Sequence, residues 1–330
     1  MTSPSGLSAE EASPIKVDPD LEREDHVDDG LRSSTASLSS SILNYRKVNG
    51  RTYPNFKDAE YCHHMMYLVH DNALHLAPIK DPKMVLDIGT GTGLWATDFA
   101  DQYPSAQVIG TDLSPIQPSW VPSNCTFQLD DATQPWTFPD STFDFIHLRF
   151  LLGSVPDWPA LYAEALRCLK PGGWLEHSDF TIRLCCDDGS VSIGSQDDPS
   201  SSCVYTTWNE FFAQAGEKTG RTFMVTDKDA HIDAMKSAGF EEADKIFTRN
   251  FKLPLGTWAA DKRWKEIGAF NKASCEQGLE GYALYLGTQI LGWSEEEMRE
   301  LFGRMVEAMN RRDWHVYYPC ATTWAQKPVS

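Results

Sequence analysis

The chain has 330 residues, 41% of them hydrophobic, enough to bury one large core with appendages. Its formal net charge of −18, with no run of Lys and Arg longer than two residues, excludes nucleic acid as an expected partner, because duplex binding relies on clustered cations. No apolar stretch approaches the ~18 residues of a membrane span and the N-terminus lacks a signal-peptide pattern, so the reading is an intracellular protein, cytoplasmic or nuclear, with no membrane partner.

Residues 1–41 hold ten serines and nine acids against three basic residues, with few large apolar side chains. Such a segment cannot offset its ordering entropy, and a disordered tail is expected, followed by one domain over 42–330. DAEYCHHMMYLVHDNALHLAPI, beginning at Asp58, places Tyr61, Met65 and Leu68 at helical steps and predicts an amphipathic helix ending before Pro78. His63, His64, His70 and His75 lie in it; no carboxylate or thiol spacing accompanies them, so they are read as helix-surface residues and no metal is expected. The eight cysteines form no C-x-x-C pair and are read as reduced thiols.

Residues 84–99, MVLDIGTGTGLWATDF, are an apolar strand, a turn with Gly89, Thr90, Gly91 and Gly93, and a helix start. Glycines at this spacing free the backbone to take unusual dihedrals and let a ligand lie against its amides. A dinucleotide fingerprint would need another glycine where Leu94 stands. The next strand, QVIGTD, ends in Asp112, the position that accepts ribose hydroxyls in nucleoside-binding α/β sheets. CTFQLDDA then ends in Asp130, Asp131 and Ala132, and FDFIHLRF carries His147 and Arg149 at its end. Ligands in open α/β sheets bind beyond the strands' carboxyl ends, so all these tips converge on one crevice.

A helix over DWPALYAEALRCLK leads through Pro171 and Gly172-Gly173 to strand five, WLEHSDF, which holds His177. Helices are predicted over 208–218 and 229–238, and EEADKIFTRNFKLPLG is a sixth strand. About 257–311 is a helical insert, read as helices over 258–273, 281–291 and a third opening with a capping box at Ser294 and Glu297. HVYYPCATTWAQKP supplies the last strand. Trp258, Trp264, Tyr282, Tyr285 and Trp293 make the insert aromatic, which suits a lid over an apolar acceptor pocket.

Asp87 two residues before a G-x-G-x-G turn resembles motif I of the class I S-adenosylmethionine-dependent methyltransferases, and the helix, L-K-P-G-G, strand signature agrees with it. With VIGTDLSPIQPSWVPSN, HHMM, HLAPI and LPLGTWAADK, the chain from about 45 to 328 resembles the fungal LaeA-like methyltransferases. The resemblance implies a Rossmann-like α/β fold with a seven-stranded, mostly parallel sheet and helices on both faces, and S-adenosylmethionine as cofactor. It places Asp87, Gly89, Thr90, Gly91 and Gly93 at the methionine end, Asp112 at the ribose, Leu113 on the adenine face, and Asp130, Asp131 and Ala132 at the adenine edge. His147 and His177 are the candidate bases for a hydroxyl acceptor; the other reading has His147 orienting the cofactor's carboxylate with Arg149. Two functions stay open: methylation of a small-molecule acceptor, or a regulator of secondary metabolism that works through protein partners.

Overall fold

Met84, Val85, Leu86 and Ile88 form β1 (Met84–Ile88), whose last four residues are buried, as a parallel strand covered on both faces requires. A computed structural model describes residues 12–21, 57–194, 203–240 and 246–329, and places this strand in the interior of an eight-stranded sheet. β2 (Gln107–Asp112) and β3 (Cys125–Leu129) add on one side; β4 (Phe143–Arg149) and β5 (Leu169–Phe180) add on the other, all parallel. β8 (Val316–Gln326) runs antiparallel to β5 and to β7 (Ile246–Pro254), giving the order β3-β2-β1-β4-β5-β8-β7. The seven expected strands are joined by a two-residue eighth, β6 (Cys185–Cys186), which pairs with β8 beyond the end of β5.

The helices fall in two layers and a cap. On one face lies α2 (Leu94–Gln102), whose Trp95 and Phe99 pack with Leu74, Ala77 and Phe145. On the other face are α3 (Trp158–Cys168), capped by the Asp157 carboxylate on the Ala160 amide, and α5 (Ala230–Ser237). The cap joins α1 (Lys57–Val69), α4 (Val204–Thr219), α6 (Lys262–Tyr285) and α7 (Glu295–Met309) around a second core that includes Trp208, Phe212, Phe270 and Met298. The capping box at Ser294 and Glu297 is present. Among the described residues no helix is long and apolar enough to cross a membrane.

Three expectations change. The pre-helix stops at Val69 rather than before Pro78, because Asp71 (φ 58°) and Asn72 (φ 64°) turn the chain left-handed. The two first helices expected in the insert are one, α6, which runs through Gly278 and Gly281 and ends in a π-helical turn, Leu286–Leu291. Part of the expected disordered tail is ordered: Val17 bridges Ala259, Asp18 pairs with Lys265, and Ile15, Val17 and Leu21 pack against Trp258 and Tyr317. The remainder of 1–41 lies outside the described residues.

Candidate active site

The turn after β1 is held by Asp87 from beneath. Its carboxylate accepts from the Thr90 hydroxyl at 2.6 Å and from His147 Nδ1 at 2.7 Å, and it is buried. Asp87 therefore braces the turn and the neighbouring strand tip. Gly91 has φ 56°, and a Cβ there would point into open space; Gly93 has φ 76°, and a Cβ there would lie 2.3 Å from Phe127 Cζ. The first glycine leaves room above the turn, and the second lets β3 pack below it.

Beside Gly91 stands Asp112, whose two oxygens accept from the Gly91 amide (2.8 Å) and the Ser114 amide (2.9 Å). Each oxygen keeps a lone pair for a further donor, which two ribose hydroxyls would supply. Leu113 follows with 67% of its surface exposed, an apolar shelf beside an acid. Asp131 accepts from the Thr133 amide and hydroxyl, Asp130 from the Asp131 amide, and the Ala132 carbonyl from Trp136 Nε1–H. The strand tips thus bring together the turn glycines, Asp112, Leu113, Asp130, Asp131 and Ala132.

Arg149, at the end of β4, donates to His63 Nδ1 at 3.0 Å, and His63 Nε2 bonds to Asp98 at 3.0 Å. Arginine only donates, so His63 must accept at Nδ1 and carry its proton on Nε2. Burial holds His63 below its ordinary pKa, with Asp98 opposing. Two of the four histidines read as helix-surface residues are therefore interior: His63 and His70 are buried, His64 and His75 half-buried, and His70 bonds to Thr322 on β8. Among the described residues no group of three His, Cys, Asp or Glu is arranged to hold a metal ion.

The two candidate bases stand elsewhere than at an open tip. His147 is 2% exposed, bonded to Asp87 and stacked at 3.7 Å on Trp95, and burial pushes its pKa down to about 4. His177 is 1% exposed on the opposite face of the sheet, stacked on Trp158 and bonded to Tyr162 and Asp179. The physical reason is register: His177 pairs with Leu148, so His147 neighbours Glu176 instead. Glu176 is the group that sequence reasoning passed over. Its Oε2 accepts from the Leu76 and Ala77 amides, pinning the segment after α1 onto the sheet, and burial raises its pKa to about 7.

Beyond β4 and β5 opens a cavity of about 720 Å³. Phe150, Leu152 and Gly153 form one wall, Phe180 and Ile182 a second, and α4 and α6 close it with Trp208, Phe212, Asn271, Ser274, Leu279 and Tyr282. The intervening Leu151 touches the turn: a Cβ on Gly89 would lie 2.4 Å from its Cδ2. Of the five insert aromatics, Tyr282 and Tyr285 line the cavity; Trp293 packs on Phe211, and Trp258 lies among Ile15, Val17 and Tyr317. The cavity residues come from segments far apart in sequence, and only the aromatic content of the insert hinted at them.

A family model described as a methyltransferase domain matches residues 61–242. The chain belongs to this methyltransferase family. It is similar to Methyltransferase pytC of Aspergillus terreus, 35% identical over 339 residues that cover 97% of this chain and 98% of the relative. It is also similar to Secondary metabolism regulator LAE1 of Cochliobolus heterostrophus, 31% identical over 309 residues, 85% of this chain and 96% of the relative. Among solved structures, phosphoethanolamine N-methyltransferase 2 of Haemonchus contortus is 18% identical, covers 96% of this chain and 60% of its own, and has a TM-score of 0.44.

The chain is a class I, S-adenosylmethionine-dependent methyltransferase of the LaeA-like group. The residues present fit that cofactor. Gly91 leaves open the space that a Cβ would fill, Asp112 retains acceptor capacity for vicinal hydroxyls, and the exposed Leu113 offers a face for a flat base.

Proposed function

We propose that this methyltransferase acts on a small, largely apolar molecule held in the cavity between α4, α6 and the ends of β4 and β5. The observation that carries the reading is the junction at 149–153: Leu151 abuts the donor turn, while Phe150, Leu152 and Gly153 line a cavity of about 720 Å³. That volume is within the usual range for small-molecule sites, roughly 300–1,000 Å³.

When bound, S-adenosylmethionine supplies an electrophilic methyl group on a sulfonium. Asp112 would accept the ribose hydroxyls, Leu113 would pack on the adenine face, and Asp130, Asp131 and Ala132 would meet its edge. Arg149, aimed by the His63–Asp98 pair, would bind the carboxylate of the methionine end. The remaining task is to hold the acceptor in line and dry, which apolar walls do without a base; positioning alone can lower a barrier by roughly 7–11 kcal/mol. His147 is bonded through Nδ1 to Asp87 and covered by Trp95, so its part in this scheme is to fix Asp87 and with it the turn.

Similarity to a protein named as a regulator of secondary metabolism supports a second reading, in which the product of methylation is a modified protein. Incubation with methyl-labelled S-adenosylmethionine and a whole extract of the producing cells separates the two. Label in the extractable small-molecule fraction is the expected result. Label confined to protein would establish the second reading, and no label in either fraction would overturn both.

A further inference from the structure

The cavity's charge is opposite to that of the chain that builds it. The sequence holds 47 acidic and 29 basic residues, yet among the described residues no carboxylate lines the cavity, and the charged side chains that do are Lys218 and Arg221. Both stand exposed at the C-terminal end of α4, on either side of Gly220, which turns the chain at φ 66°. The segment that follows is anchored to the strand ends: Gly153 N donates to Thr222 O at 2.8 Å, and Ile182 N to Phe223 O at 3.1 Å. The turn that carries Arg221, just past the helix end that carries Lys218, is therefore tied to the strand ends by backbone. Lys218 Nζ also reaches Ile290 O at 3.3 Å, spanning the rim towards the π-helical turn. On the other side, the Asp131 carboxyl is held below its usual range by Thr133 and, to a lesser degree, by Arg221, which puts Arg221 at the border between the adenine acids and the cavity.

The floor differs. Burial pushes the Cys275 thiol up to about 12 and the Tyr318 phenol well above its ordinary value, so at neutral pH both are uncharged. With Ser274 and Asn271 they offer neutral hydrogen-bonding groups among apolar walls. A neutral floor, aromatic sides and a cationic rim match one kind of ligand.

We propose that the acceptor is a carboxylic acid with an apolar body, its hydrocarbon or aromatic part between Trp208, Phe212 and Phe223 and its carboxylate on Lys218 and Arg221. This rests on the cavity being the acceptor pocket. The anion is a recognition group, and the methylated atom lies on the body, towards Phe150 and the donor turn.

The test uses two fluorescent probes with the same apolar body, anilinonaphthalene sulfonate and neutral N-phenylnaphthylamine, titrated against the full chain with no methyl transfer required. Lys218→Gln with Arg221→Gln should weaken the sulfonate by about tenfold, as two exposed ion pairs imply, and leave the neutral probe within about twofold. Gly281→Leu, which fills cavity space, should weaken both probes. Unchanged melting temperatures confirm that the variants fold. Sulfonate binding that ignores either change, or that falls in the Lys218/Arg221 double variant no more than neutral binding does, would overturn the proposal. Correct probe behaviour in a protein that methylates no small molecule would remove the acceptor-pocket reading and leave an anion-binding cavity.

Discussion

Gly91 and Gly93 share a left-handed backbone, yet the surroundings of each make different demands. At Gly93 an added Cβ would meet Phe127 Cζ at 2.3 Å, a ring held beneath the turn by the pairing of β3 with β2. At Gly91 it would meet nothing within 4 Å. Both substitutions to alanine carry the cost of a positive φ, ~1–2 kcal/mol, but only Gly93→Ala also displaces a packed aromatic. Gly93→Ala is therefore expected to lower the melting temperature markedly, whereas Gly91→Val should fold and lose S-adenosylmethionine affinity; calorimetry with a thermal scan measures both. Equal thermal losses would mean that the turn is purely structural. For Asp112, removal of a carboxylate that accepts from the cofactor's hydroxyls should weaken binding by ~2–4 kcal/mol in a folded protein. Part of that cost falls on the Gly91 and Ser114 amides, which lose their acceptor as well. An Asp112→Ala variant with wild-type affinity would place the ribose elsewhere.

At the scale of elements, the sheet was legible because each parallel strand is a short apolar run ending in a polar tip, and because the glycine turn and the L-K-P-G-G phrase each mark a βα or αβ junction. Three things were not. The side of the sheet that His177 faces depends on the pairing of β4 with β5, which shifts register between Phe143 and Phe145, so no count of residues along either strand reveals it. The expected gap between helices ending at 273 and starting at 281 is absent, because α6 continues through Gly278 and Gly281, where packing on the cap outweighs a propensity penalty of ~1 kcal/mol each. The cavity is assembled from α1, the tip of β4, α4 and α6, and pattern reads neighbours in sequence only. Gly281 itself offers a measurement. It lies on α6 at the cavity wall, and a Cβ there meets nothing within 4 Å. Gly281→Leu should thus stabilise the helix by up to ~1 kcal/mol and take space from the acceptor. Methyl transfer to the natural acceptor should fall while cofactor affinity stays within about twofold of wild type. Turnover unchanged in this variant would show that the acceptor binds outside the cavity.

The molecule as a whole keeps an unusual set of neutral groups inside. Burial pushes His70 and His231 down to about 3, and His64 and His147 to about 4. An unfolded histidine takes its proton near pH 6.5. Between 6.5 and about 4 the unfolded chain therefore holds protons that the folded chain refuses, and stability falls as the pH is lowered through that window. Glu176 works in the other direction. Its buried carboxyl stays protonated up to about 7, whereas an unfolded glutamate releases its proton near 4.5, so this residue costs stability as the pH rises between those values. Each group contributes at most ~1.4 kcal/mol per pH unit, and four histidines outweigh one glutamate. The melting temperature is expected to fall steadily from pH 7 to pH 5. In Glu176→Gln, where the amide oxygen can still accept from the Leu76 and Ala77 amides, the opposing contribution is gone and the fall should be steeper. A melting temperature that is flat over this range in the wild type would mean that the buried histidines are charged in the folded protein. A wild-type slope unchanged by Glu176→Gln would mean that Glu176 is ionised beneath the segment it pins.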